Sequence, residues 1–151
     1  MTRPPVTLRF GGLVAIAGDT TREGEGTDPV AVDAQADGEV LAALDIGTNS
    51  VHGVVARMVR GEHGPRIEIV ERWKEMVRLG SSGGDIRELT VDAIDRTIAA
   101  LDRFRRLAES HGAPITAVAT SAVREAENRD VLVARAAAEA QIHVEVVSGT
   151  E

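Results

Sequence analysis

The run Val40-Leu41-Ala42-Ala43-Leu44-Asp45-Ile46 constrains this chain more than any other part of it. It is apolar apart from one aspartate. Such a run, closed by turn residues, is a strand buried on both faces. A strand of that kind needs a sheet with other layers packed on it. Gly47-Thr48-Asn49 follows as turn chemistry, so the strand carries Asp45 to its end. Aromatic residues make up only 2% of the sequence, and the core must therefore be Val, Ile, Leu and Ala. Aliphatic strands with Ala-rich helices point to an α/β architecture. The same scarcity argues against single-stranded nucleic acid, which stacks on aromatic platforms.

The pattern after the first strand continues in the same sense. Ser50–Val59 is a second strand, with Val51, Val54 and Val55 its main apolar positions. Glu62–Pro65 is a turn, and residues 66–77 are a third strand in which neither face is purely polar. Gly80-Ser81-Ser82-Gly83-Gly84 is a loop that lacks the Lys-Ser/Thr ending of a P-loop. Thr90 is placed to cap a helix. Val91, Ile94, Ile98, Leu101, Phe104 and Ala108 then recur at helical spacing. Gly112 and Pro114 stop it. Ile115–Ala119 is a short strand. Asn128 stands where a second helix would be capped, with Leu132, Ala136 and Ala140 on one face. Residues 142–147 form the last strand. Three strands in hairpin succession followed by helix, strand, helix, strand predict a mixed sheet of order βββαβαβ, antiparallel first and parallel after a right-handed crossover. That is the layout of a ribonuclease-H-like lobe.

Residues 1–39 read as a separate, disordered acidic extension, and residues 40–151 as the folded domain. Residues 19–39 hold seven acids and one base, with little to bury. Ala15-Ile16-Ala17 has the form of a signal cleavage site, but Arg9 interrupts the apolar stretch before it. The net charge of −7 thus lies mainly in the extension. The near-balanced remainder gives no electrostatic case for DNA, RNA or membrane binding. There is no cysteine, which excludes disulfides, thiol catalysis and Cys-based zinc sites. This is compatible with the cytoplasm. His52, His63, His111 and His143 share no metal-ligand spacing, and Arg103, Arg105 and Arg106 read as a solvated helix face.

Two segments can carry chemistry. In the first, Gly47 allows close backbone approach. Successive turn N–H groups can cradle phosphate oxygens, with the Thr48 and Ser50 hydroxyls as further donors. Asp45 is placed to hold Mg²⁺ directly or through water. An ordinary hairpin turn uses the same residues for conformational reasons. In the second, Ala119-Thr120-Ser121-Ala122-Val123-Arg124, a strand ends in two hydroxyl residues and passes into a helical turn. Ligands bind at such strand ends in open α/β sheets. Thr120 and Ser121 offer hydroxyl and N–H donors, and Arg124 offers a bidentate clamp. Capping by Thr120 or Ser121 and a surface ion pair for Arg124 would explain the same residues.

Together the segments Ala43-Leu44-Asp45-Ile46-Gly47-Thr48-Asn49-Ser50-Val51, Val77-Arg78-Leu79-Gly80, Ala119-Thr120-Ser121-Ala122-Val123-Arg124-Glu125-Ala126-Glu127-Asn128-Arg129 and Val144-Glu145-Val146-Val147-Ser148-Gly149 resemble the exopolyphosphatase/guanosine pentaphosphatase (Ppx/GppA) family. That family sits within the actin-like ATPase superfamily. Sugar kinases and heat-shock chaperones share the Asp-x-Gly-Thr loop, but not the Ala-Thr-Ser-Ala-x-Arg segment.

The resemblance implies a hydrolase releasing terminal phosphate from polyphosphate or guanosine pentaphosphate, with Mg²⁺ as cofactor and polyphosphate or guanosine penta- or tetraphosphate as binding partners. It assigns Asp45 to the metal. It assigns Gly47, Thr48, Asn49, Ser50, Thr120, Ser121 and Arg124 to phosphate. Glu151 matches the first of two adjacent acids whose second member is the family's candidate general base. The second acid and the second glycine-rich loop, Asp-x-Gly-Gly-Gly-Ser, lie beyond the last residue. The expectation is a lobe inactive by itself. Other readings are a non-catalytic polyphosphate- or alarmone-binding module, and a lobe completed by a second lobe or another copy of itself.

Overall fold

The computed structural model describes residues 38–80 and 88–148, together with the backbone of two strands nearer the N-terminus, β1 (Val6–Phe10) and β2 (Leu13–Ala17). The larger sheet holds β3 (Val40–Ile46), β4 (Ser50–Gly61), β5 (Gly64–Met76), β6 (Ile115–Ala119) and β7 (Val144–Val146). Its helices are α1 (Val91–Ser110), α2 (Ser121–Glu125) and α3 (Arg129–Glu139). The strand order is β5-β4-β3-β6-β7. β3, β4 and β5 run antiparallel, whereas β6 is parallel to β3 and β7 parallel to β6. This is the mixed α/β sheet the sequence predicts, with α2 as the helical turn after β6.

Period-2 alternation sets the faces of β3. Ala42, Leu44 and Ile46 are buried in the main core with Val51 and Val55 of β4. Asp45 lies on the opposite face. The core is completed by Ile94, Ile98, Leu101 and Phe104 of α1 and by Leu132 and Ala136 of α3. Phe104 packs over Gly53 of β4, where a Cβ would overlap the ring atoms Cδ2, Cε2 and Cζ. Trp73, the cross-strand partner of Gly53, meets the same ring at 5.4 Å between centroids. A glycine in mid-strand thus serves close approach of an aromatic side chain.

The ends of α1 form as expected. Thr90 Oγ1 accepts a hydrogen bond from the Ala93 N–H at 3.2 Å. At the other end Gly112, at φ +64°, donates to Glu109 O while the Ala113 N–H donates to Ala108 O, the paired bonds of a Schellman stop.

Four details differ from the sequence reading. Val91 is exposed, because it occupies the first helical turn before the apolar stripe reaches the sheet. Asn128 stands before α3 but makes no side-chain cap. Its amide instead accepts from the Leu89 N–H at 2.8 Å and donates to Leu89 O at 2.9 Å. β4 and β5 run on to Gly61 and Gly64, leaving a turn at Glu62-His63 alone. Finally, β1 and β2 pair as an antiparallel hairpin within the extension read as disordered. Two β-prone runs separated by Gly11-Gly12 are a hairpin signal that the acidity of the following residues obscured. Residues 18–37 of that extension lie outside the described residues.

Candidate functional site

The two segments singled out for chemistry meet at one end of the sheet. The parallel register pairs Asp45 with Val118 and Ile46 with Ala119, so β3 and β6 end side by side. The Thr120 N–H donates to Ile46 O at 3.1 Å. The Thr120 hydroxyl approaches the same carbonyl at 3.5 Å. Beyond this junction, Thr48 Oγ1 and Ser121 Oγ lie 3.2 Å apart. Two hydroxyls 73 residues apart in sequence, one from the turn after β3 and one from the first residue of α2, therefore meet.

The turn itself is braced from behind. The Gly47 N–H donates to Ser50 O at 3.0 Å, and a Cβ on Gly47 would sit 3.0 Å from that oxygen. A side chain there would press on the oxygen that closes the turn. Asn49 O accepts from both the Val77 and Arg78 N–H groups at 2.9 Å, and Thr48 O accepts from the Gly80 N–H at 2.9 Å. The carbonyls of the turn are occupied on that side. Among the described residues, the Thr48 and Asn49 N–H groups donate to no other backbone group. The cradle expected from four residues thus reduces to two free N–H groups and the hydroxyls around them.

Asp45 is the electrostatic centre. Its Oδ1 is buried and has no hydrogen-bond partner. Burial pushes its carboxyl above the usual carboxylate range, and His52 opposes the shift in part. A buried unpaired carboxylate oxygen is costly to keep in a fold, and a cation is the natural partner for it. His52 faces Asp45 across β3 and β4. Its Nε2 lies 2.9 Å from Ser50 Oγ, fixing that hydroxyl. The absence of metal-ligand spacing among the histidines gives His52 no role in the sequence. The missed signal is the i, i+2 spacing of Ser50 and His52, which puts both on one face of a strand.

Arg124 is about one-third exposed, and its Nη2 reaches Glu125 Oε1 at 3.5 Å. An exposed pair of that length contributes little and leaves the guanidinium able to engage another anion. Arg129 Nη1 holds the Arg124 carbonyl at 2.9 Å. Glu151 lies outside the described residues. No group of three or more His, Cys, Asp or Glu among the described residues is arranged to hold a metal ion. A cation at Asp45 would accordingly be anchored by one carboxylate and completed by water and ligand oxygens, the usual habit of Mg²⁺. Arg103, Arg105 and Arg106, read as a solvated face, are paired with Glu75, Asp102 and Glu109. No helix among the described residues is long and apolar enough to cross a membrane.

Comparison with known proteins bears on this arrangement. The model of the Ppx/GppA phosphatase family matches residues 54–151. An exopolyphosphatase 1 of Mycobacterium leprae is 35% identical over 112 residues, which is 74% of this chain and 32% of that protein. A guanosine-5'-triphosphate,3'-diphosphate pyrophosphatase of Pseudoalteromonas atlantica is 33% identical over 114 residues, 75% of this chain and 22% of that one. The Ppx/GppA enzyme of Aquifex aeolicus superposes with a TM-score of 0.66 at 29% identity, covering 72% of this chain and 36% of its own. An exopolyphosphatase from Cytophaga hutchinsonii gives 0.65 at 31% identity, covering 74% and 35%. The chain spans about a third, or less, of the length of the curated relatives it matches.

Proposed function

Because this chain belongs to the Ppx/GppA phosphatase family, we propose that residues 40–151 are the first phosphate-binding lobe of a phosphoric-anhydride hydrolase. Its substrate is inorganic polyphosphate or guanosine pentaphosphate, in keeping with the names of its relatives. Residues 1–39 stand outside this lobe as an acidic extension. The observation that carries the reading is the meeting of Thr48 and Ser121 beyond the ends of two adjacent parallel strands, one of which carries the unpaired Asp45 oxygen.

Transfer of a terminal phosphoryl group depends on positioning and on stabilising charge spread over its oxygens. The Thr48 and Ser121 hydroxyls and the free N–H groups of Thr48 and Asn49 supply donors for those oxygens. Thr120 joins them from the end of β6, and Gly47 shapes the turn that presents them. Ser50, oriented by His52, adds a hydroxyl whose direction is set before a ligand arrives. Arg124 clamps an oxyanion from the α2 side. Asp45 would hold Mg²⁺, which when bound supplies positive charge against the phosphate oxygens. Glu151 matches the first of two adjacent acids, the second of which is the family's candidate base for accepting the proton of the attacking water.

The 112 matched residues span 32% of the exopolyphosphatase relative's length. The expectation for this chain alone is phosphate-chain binding with little or no hydrolysis. The cleft is completed by a second lobe or by another copy of the chain, in the cytoplasm. The test is calorimetric titration of the chain with short-chain inorganic polyphosphate in the presence of Mg²⁺, beside a measurement of phosphate release. Saturable binding that weakens in Ser121→Ala supports the reading. Absence of binding overturns the site, and rapid phosphate release overturns the expectation of an inactive lobe.

A further inference from the structure

Arg78 is an arginine in a backbone conformation that arginine rarely adopts. Its φ is +50°, in the left-handed region where a Cβ is crowded. Three bonds hold that corner. The Val77 and Arg78 N–H groups both donate to Asn49 O, and Arg96 Nε donates to Val77 O at 3.0 Å. On either side Val77 and Leu79 are fully buried, whereas Arg78 is exposed. The two buried neighbours anchor the chain and leave the residue between them at the surface. Strained residues of this kind persist where the surrounding structure over-determines them, and they cluster at ligand sites.

The side chain adds a second observation. The Arg78 guanidinium makes no hydrogen bond or ion pair among the described residues, unlike those of Arg96, Arg103, Arg105, Arg106, Arg129 and Arg135. Arg57 and Arg66 are likewise unpaired, but they lie well along the β4–β5 hairpin from the turn at Gly47–Ser50. Arg78 alone of these three is bonded through its own backbone to that turn. It approaches the turn from the side of β5, while Ser121 approaches from the side of β6.

We propose that Arg78 is a further phosphate-binding residue of this cleft, taking the stretch of a polyphosphate chain that runs past Thr48 and Asn49 toward β5. The inference rests on the proposed function and extends its site from one side of the turn to both. A guanidinium suits such a ligand because its planar fork matches phosphate oxygens. The strained backbone holds the residue within a single peptide of Asn49, so little chain motion is needed to reach a ligand on the turn.

The test uses the whole 151-residue chain and short-chain inorganic polyphosphate as probe, with Mg²⁺ present. Arg78→Gly removes the side chain and relieves the positive φ, so the variant is expected to fold and to melt no lower than the parent. Its affinity for polyphosphate should fall roughly tenfold, the scale of one charge-assisted contact. Arg78→Lys should recover part of that loss. Unchanged affinity in Arg78→Gly, with Arg124→Ala weakened, overturns the role of Arg78 and leaves the proposed function standing. If the parent chain binds no polyphosphate, or Arg124→Ala binds as the parent does, the proposed function fails and this inference fails with it.

Discussion

The ring of Phe104 fills the space that a side chain on Gly53 would need. Helix α1 therefore rests on β4 at a mid-strand position that has no Cβ. Gly53→Ala is expected to destabilise the fold by about 1 to 3 kcal/mol through overpacking, read as a lower midpoint in urea with an unchanged slope. Phe104→Leu in the same background should recover part of the loss, because the smaller side chain vacates the space. Additive effects of the two changes would show that the contact is unimportant.

Asp45 contributes to the dependence of stability on acidity. Its native carboxyl titrates above the unfolded value of 3.8, so the folded chain keeps the proton to higher pH than the unfolded chain does. The favourable contribution is fully present below that unfolded value. It is lost as pH rises through the raised native value. Asp45→Asn should flatten this slope and melt higher than the parent at neutral pH without Mg²⁺. The same variant should lose Mg²⁺-dependent polyphosphate binding. A lower melting temperature for Asp45→Asn at neutral pH would show that the carboxylate is stabilised by something other than a bound cation.

Thr48 and Ser121 should behave as a coupled pair. Thr48→Val and Ser121→Ala are each expected to weaken polyphosphate binding by about 0.5 to 1.5 kcal/mol. The double variant should lose less than the sum, since each hydroxyl helps orient the other. Strict additivity in a double-mutant cycle would place the two hydroxyls on separate ligand oxygens with no shared position.

Asn128→Ala removes both bonds to the buried Leu89 backbone. Leaving those groups unpaired should cost about 1 to 3 kcal/mol. Thr90→Ala should cost about 1 kcal/mol, through loss of the α1 cap. Hydrogen exchange at Leu89 and Ala93 separates the two. Asn128→Ala should expose Leu89 first, and Thr90→Ala should expose Ala93 first.

The sheet was legible because its strands differ in kind. The unbroken apolar run before Gly47 marked a strand buried on both faces, and the alternation after Pro65 marked a strand with neither face purely polar. β3 and β6 fall on the residues expected for them, Val40–Ile46 and Ile115–Ala119. Asn128 misled because its residue type and position suit a cap. Its actual partner, Leu89, lies 39 residues away, and a bond across that separation leaves no local pattern. The site was legible as two motifs, while their junction was not. Which hydroxyls meet follows from the β3–β6 register, a tertiary quantity. The bracing of Asn49 by Val77 and Arg78 was hidden for the same reason.

That register also has a kinetic consequence. Loops at the ends of neighbouring strands are held about 4.8 Å apart by the backbone ladder itself, and no hinge separates them. A ligand meeting such a site encounters it already assembled. Association should then proceed in a single exponential phase whose rate rises linearly with ligand concentration, and differences among variants of the loop hydroxyls should appear in the rate of escape.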